Sequence, residues 1–593
     1  MRGLWVPGHP PVARSSWSLL GRPYCTGAEV FGVATDRSAR ERLWAQIPVG
    51  HALALLSGML RDLDLADGPV GSVEAGWAAA MSGKAAAQAR AVIARGGRLL
   101  PPQLLLVGVK EALRYCPPGA ARDDLSDLDA VLRAVLSIAD EIGQVREDGP
   151  LWGGLVGSLA TEMIANQHFN ATAYPAPLMA RTQVTWRERW SPSVRERNRS
   201  RAGGQPAELF AEVMGCELDA FLGVAIHLWA QAQQHNYLRF PPEFFRRIGV
   251  DPAAVELFLG ATSVSLADLQ QVVAQGPVAT EQPWEFNDFR RHPIVRLPDG
   301  SVQVIRIGFV LERAFGQVAE FDVRDRLRAA DGGADGMVSG GREEAFRSCL
   351  NDQFEYCVGE VLRRIFPSEG HFKRVYSETE MKQAWKTKKT TPRVCDWVVD
   401  CGDVWLCLDA TNRRLSQPLV GGYADLTQMD EELAVALTDH KASQIASTIR
   451  YLTNSLPQLT GRHPRPGTRF IPLIVTPEDG LPWNPAVHRR VQELVAAKGT
   501  LQTTRAAEMG IVSLHDLGLV ERAADDGRDA GKLVETWRSR QPEVALQHFL
   551  HGQGEVLRRP QWELDKFSQL VDELIEQQTA SQARLSQGPG SAA

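Results

Sequence analysis

Several of the signatures that announce a chemistry are missing from this chain. Across 593 residues there is no Cys-x-x-Cys pair, no His-Glu-x-x-His and no Gly-x-Ser-x-Gly. These gaps exclude a zinc ribbon, a zincin-type protease site and the nucleophile elbow of an α/β-hydrolase. Met81, Ser82, Gly83 and Lys84 hint at a phosphate loop, but Ala78 stands where its first glycine belongs and Ala85 where a Ser or Thr belongs, so a Walker site is rejected. The longest apolar stretches, such as 52–60, fall well short of the ~20 residues of a membrane span, and no membrane partner is expected. The eight cysteines are scattered. Cys395, Cys401 and Cys407 lie in or beside strand-like apolar segments and read as small buried hydrophobes. With no disulfide framework suggested, a reducing cytoplasm fits. The formal net charge is −6, so any basic surface has to be local. Lysine is scarce, eleven against fifty-four arginines, and five of the eleven fall between Lys373 and Lys389.

What is present divides the chain by texture. Residues 1–40 are rich in Gly, Pro and Ser, with Pro7, Pro10 and Pro11 breaking any amphipathic helix, and read as an irregular tail. A mainly α-helical region is predicted over 41–280. Apolar residues recur there at three- and four-residue spacing in 73–93, 126–142, 152–165 and 207–234, with Ser126 and Ser265 as N-caps. The stretch 281–340 reads as a β-hairpin turning at Asp299 and Gly300, followed by a glycine-rich linker.

Beyond it, 341–525 alternates strand and helix signals: helix 354–366, strands 394–399 and 404–408, helix 431–452, strand 470–476, helix 487–497, and a strand from Ile511. That order predicts an α/β domain, a mixed sheet flanked by helices. Residues 526–593 read as C-terminal helices with a disordered Ser/Gly/Ala end.

Two acids stand out in this domain. Asp396 opens one strand, and Asp409 ends the next, thirteen residues on. If those strands pair as a hairpin, the carboxylates converge at one end of the sheet, as hard oxygen ligands for Mg²⁺ or Mn²⁺. This pattern resembles the PD-(D/E)xK nuclease superfamily, in which an Asp at a strand start is followed by a hairpin and then Asp/Glu-x-Lys. Asp396 matches the first acid and Asp409 the second, while Thr411 stands where the lysine belongs. Glu355 resembles the metal-holding Glu of the family's first helix. Lys441 and Gln444 lie on a helix similar to the one that covers the site in many members. The resemblance covers about 170 residues. It implies a restriction-endonuclease-like fold and a metal-dependent DNA endonuclease, with Glu355, Asp396 and Asp409 as metal ligands and Thr411 unable to supply the cation. Either Lys441 or Arg413 then replaces it, or the site works with the acids alone, as in some members' variant motifs.

DNA is the expected partner. Lys382, Lys386, Lys388 and Lys389 read as a basic loop beside the acids, suited to phosphates. Seven arginines between Arg181 and Arg201 interleave with Trp186 and Trp190. That pattern fits either nucleic-acid stacking or an exposed linker, which the intervening Glu188 and Glu196 favour. The helical region is expected to select a target or a protein partner, in the manner of bacterial defence against foreign DNA. The alternative is a catalytically inactive nuclease fold that serves as a binding module. Converging acids with Lys441 directed between them favour the first, and acids pointing apart or a plugged site favour the second.

Overall fold

The computed structural model describes residues 25–586 apart from 67–69, 96, 123–124, 143–163, 165–174, 236–237, 317, 332–340, 369–373, 478–480 and 554–558. The proline-broken start of the tail, most of the helix expected over 152–165, the glycine-rich stretch, Lys373 and the C-terminal end lie outside the described residues. Regular structure begins earlier than residue 41: Thr26 caps a helix over Gly27–Phe31 through a reciprocal bond with Glu29.

Three apolar cores organise the chain. The first gathers the buried faces of the Val49–Asp64, Pro102–Tyr115 and Leu128–Ile142 helices. The second is built on Leu218–Gln234, Pro252–Thr262 and Ile307–Phe315, closed by Leu570 and Leu574 of the long Gln561–Ser586 helix. The third surrounds the sheet of the C-terminal α/β unit. Among the described residues no single helix is long and apolar enough to cross a membrane.

The hairpin region does more than connect. Strands β1 (Arg239–Phe240), β2 (Ser263–Ser265), β3 (Ile294–Arg296) and β4 (Val302–Val304) form a sheet in the order β1-β4-β3-β2. Successive side chains on a strand face opposite ways. On β3, Ile294 enters the second core and Val295 the first, so this small sheet is the wall between two helical cores. Gly300, at φ +81°, makes the expected turn, and Asp299 accepts a bond from the Ser301 amide at 3.0 Å.

The sheet of the third core runs β5 (Val375–Ser377), β6 (Trp397–Asp400), β7 (Val404–Ala410), β8 (Arg469–Thr476), β9 (Gly510–Ser513) in that spatial order. The β5–β6 and β6–β7 pairs are antiparallel, and the β7–β8 and β8–β9 pairs are parallel. All seven residues of β7 are buried, as a central strand covered on both faces requires. The helix over Arg342–Ile365 is shared. Ala345, Phe346, Cys349 and Leu350 belong to the second core, and Phe354 through Ile365 to the third. It carries Glu355 at the changeover. Cys395 and Cys407 are fully buried, and burial raises both thiols far above the ordinary range.

Several helices differ from expectation. The one over 207–234 is broken at Gly215, with φ +81°, into Pro206–Met214 and Leu218–Gln234, and the one expected from residue 354 already starts at Arg342. The one over 73–93 is broken at Gly83, with φ +55°, into Val70–Ala80 and Gly83–Ala94. The 126–142 helix starts at Leu128, with Asp127 rather than Ser126 giving the capping carbonyl. The one over 431–452 is interrupted by a wider π-helical turn over Ala434–Thr438, and a new helix starts at Lys441. Ser265 caps as expected, accepting from the Asp268 amide at 3.0 Å.

Candidate functional site

The β6–β7 register pairs Trp397 with Leu408. Continued by one residue it sets Asp396 opposite Asp409, so the two acids are cross-strand neighbours on one face. Asp396 Oδ2 accepts the Ala410 amide at 2.7 Å, which ties its carboxyl to the end of β7. Asp409 is fully buried. Its Oδ1 accepts a hydrogen bond from Lys441 Nζ, which also donates to the Ala410 carbonyl at 2.8 Å and stands 3.9 Å from Asp396 Oδ2. The Asp409 Oδ2 atom has no hydrogen-bond partner among the described residues. Asp396 can offer it a donor only by carrying a proton.

The electrostatics follow from this crowding. Burial first, then the charge of Asp396, pushes the Asp409 carboxyl well above the usual carboxylate range. Burial also works against the Lys441 ammonium, but Asp409 and Asp396 overcome it and hold Lys441 above the ordinary lysine range. Lys441 is the first residue of its helix, where a positive side chain meets the positive end of the helix dipole. The carboxyl pair offsets that cost. The π turn just before it resets the chain, and such turns recur at functional sites.

Glu355 belongs to the same field. Burial, then Asp396 and Glu378, raise its carboxyl to about 8. A carboxyl with a raised folded pKa weakens the fold as pH climbs from its unfolded value, here near 4.5, through its folded one. The metal-free protein is therefore expected to lose stability between about pH 4.5 and 8, and Glu355→Gln to flatten that slope. Melting temperatures across this range test it, and an unchanged slope refutes it.

Glycine sets how closely the Glu355 helix approaches. A Cβ on Gly359, one turn after Glu355, would lie 2.1 Å from the Trp397 ring. Trp397 Nε1 in turn donates to the Glu355 carbonyl at 3.2 Å. Gly359→Ala is expected to cost about 2 kcal/mol by overpacking and to lower the melting temperature by roughly 5 °C, read by thermal unfolding.

The other anticipated residues are placed differently. Gln444 Nε2 donates to the Val394 carbonyl at 3.2 Å, bracing the irregular chain just before Asp396. Thr411 lies beyond the end of β7, where its hydroxyl accepts from the Arg413 amide at 3.3 Å. Arg413 is exposed, and it is Lys441 that contacts the acids. The basic segment is only partly a loop. Lys382 sits on a helix over Glu378–Trp385 and pairs with Glu378 at 2.5 Å. Lys386, Lys388 and Lys389 are exposed, the last two on a turn closed by Thr387 and Thr390.

The arginine–tryptophan run is corrected. Trp186 and Trp190 are buried in the second core, packed on Phe346 at 5.8 and 6.0 Å, and present no stacking surface. Arg187 is held by Asp219 and Glu573.

Sequence reasoning missed Glu378 and Asp352, whose charges both act on Glu355. Asp352 precedes Glu355 by three residues, a spacing that puts both on one helix face. Glu378 had no such signal, because it depends on the three-residue strand β5.

Glu355, Asp396 and Asp409 are oxygen donors of the kind Mg²⁺ or Mn²⁺ takes. The orphaned Asp409 oxygen and the two raised carboxyls fit a site short of positive charge. Among the described residues no three such side chains already surround a common cation position. Between Asp396 and Asp409 stands the Lys441 ammonium. Compared with family models, with curated proteins and with solved structures, the chain matches none.

Proposed function

We propose that 341–525 is a restriction-endonuclease-like domain of the PD-(D/E)xK type and that the protein is a metal-dependent DNA endonuclease. The observation that carries this reading is the cross-strand pair Asp396 and Asp409 with the Lys441 ammonium directed onto it. The lysine that Thr411 fails to supply is replaced from the neighbouring helix. The sheet order and the Glu355 helix support the same assignment.

In this reading Asp396, Asp409 and Glu355 hold Mg²⁺ or Mn²⁺. A cation there neutralises charge on the scissile phosphate and acidifies a water. Lys441 donates to the phosphate or to the attacking water, and its flexible stem lets it leave Asp409 to do so. Lys386, Lys388 and Lys389 attract the DNA backbone. The helical cores select a target or a protein partner. The assignment to defence against foreign DNA is by analogy of architecture alone.

One observation favours a second reading, a catalytically inactive nuclease fold that binds nucleic acid or protein: Thr411 stands where the strand would carry the lysine. Plasmid and linear DNA incubated with the protein in Mg²⁺ or Mn²⁺, beside Asp396→Ala and Asp409→Ala, separates the two. Cutting by the wild type alone supports the nuclease. Equal DNA binding by all three with no cutting moves the binding module ahead.

A further inference from the structure

Arg195, in the segment that packs on the second core, is docked one helical turn from Glu355. The chain before the Glu196–Ala202 helix is latched to the Arg342–Ile365 helix at two adjacent residues. Gln353 accepts the Ser191 amide at 2.9 Å and donates to the Val184 carbonyl at 3.2 Å. Asp352 accepts from the Arg195 amide and from Arg195 Nε, both at 3.2 Å, from Arg195 Nη2 at 2.8 Å and from Asn198 Nδ2 at 3.4 Å.

This geometry fixes the guanidinium without using it up. One edge of the fork is docked on a nearly buried carboxylate, yet 61% of the Arg195 side chain remains exposed. Its Nη1 makes no hydrogen bond among the described residues. A planar guanidinium carries five donors, so the outer edge stays available for a second bidentate partner, and phosphate matches it in geometry and charge. The position is specific. Asp352 lies one turn from Glu355, and Arg195 is close enough for its charge to act on both Glu355 and Glu378.

We propose that Arg195 grips a backbone phosphate of the DNA beside the scissile one, so that the helical region completes the active site rather than merely accompanying it. The inference rests on the nuclease reading. Asp352 is then a positioning residue that aims the fork, and the substrate path runs between the nuclease sheet and the second core.

The test uses the full chain and a short DNA duplex. Binding is measured in the Asp409→Asn background, which holds the DNA uncut, over a range of salt concentrations. Cleavage is measured in the otherwise wild-type protein. Arg195→Gln is expected to weaken binding about tenfold and to reduce the slope of log affinity against log salt by about 0.9, the loss of one phosphate contact. KM rises about tenfold while kcat stays within about threefold. Arg195→Lys keeps the charge and the salt slope but recovers only part of the affinity, since it lacks the fork. Arg246→Ala, at an exposed site paired with Glu243 alone among the described residues, controls for loss of any one surface charge and is expected to change nothing. A purely structural Arg195–Asp352 pair would lower the melting temperature of Arg195→Gln and leave slope and KM alone. That outcome, in a protein that binds and cuts DNA, overturns the proposal for Arg195 only. A wild type that neither binds nor cuts overturns the nuclease reading and this inference together.

Discussion

Asp409→Asn is expected to lower DNA cleavage by about 10³-fold while raising the melting temperature of the metal-free protein above neutral pH. The two effects have one cause. Asp409 is a fully buried carboxyl facing another, with a single cation between them and one oxygen without a donor. Its pKa is raised by burial and by Asp396 well above the ordinary carboxyl value of 3.8. Ionisation is therefore easier in the unfolded chain, and the group weakens the fold progressively as pH rises past that value. Asparagine does not ionise, and its amide NH₂ gives the crowded carboxyl pair the donor it lacks. The variant is expected to match the wild type near pH 4 and to melt higher at pH 8. Adding Mn²⁺ is expected to raise the wild-type melting temperature, because a ligand bound only by the folded state at a hundred times its Kd stabilises by about 2.7 kcal/mol. It is expected to leave Asp409→Asn nearly unmoved. A variant that melts lower than wild type at pH 8 would show that Asp409 is a structural partner of Lys441 and little else.

How much of this was legible in the residues depended on distance along the chain. The two acids and their hairpin were, because thirteen residues with a turn at Asp400–Asp403 leave one pairing that keeps both strands apolar, and β7 is apolar enough to demand a central place. Only the second half of the shared helix was legible, by its period from Phe354 on, and strand β8 by its unbroken apolar run. Strand β5 was not, since three residues running straight into a capped helix give no period to read. Glu378 went unseen with it. The fate of Trp186 and Trp190 was illegible for a different reason: arginines interleaved with tryptophans look alike on a nucleic-acid surface and on the rim of a core. What decided it was Phe346, more than 150 residues away, which packs against both rings. The small sheet between the helical cores escaped in the same way, because its strands come from three places in the sequence.

Lys441→Met is expected to bind Mn²⁺ more tightly than the wild type, by about tenfold, and yet to cut DNA about a hundredfold more slowly. The ammonium stands between the carboxyls that a metal would use, so its removal frees their oxygens and takes away a competing positive charge. The same ammonium is the only lysine seen at the acids among the described residues, and without it a bound metal has no side-chain cation beside it to donate to the phosphate or to direct a water. The metal-free variant is expected to lose about 3 kcal/mol, the cost of leaving a buried charge without its partner, and to regain it with Mn²⁺. Position 411 offers a rescue. It lies two residues beyond Asp409, so the alternation of β7, if carried past its last residue, returns it to the same face. Its backbone is held independently by the Val475 carbonyl at 2.9 Å, so only the hydroxyl's bond to Arg413 is lost on substitution. The double variant Thr411→Lys with Lys441→Met moves the cation to the end of the strand, and cleavage is expected to return to within about tenfold of wild type. Steady-state cleavage and Mn²⁺ titration of the three proteins measure this directly. Recovery of cleavage by the double variant ties catalysis to a cation over the acid pair, whichever element supplies it. If Lys441→Met binds metal no better and cuts as fast as the wild type, the ammonium is a passive counter-ion and neither role assigned to it stands.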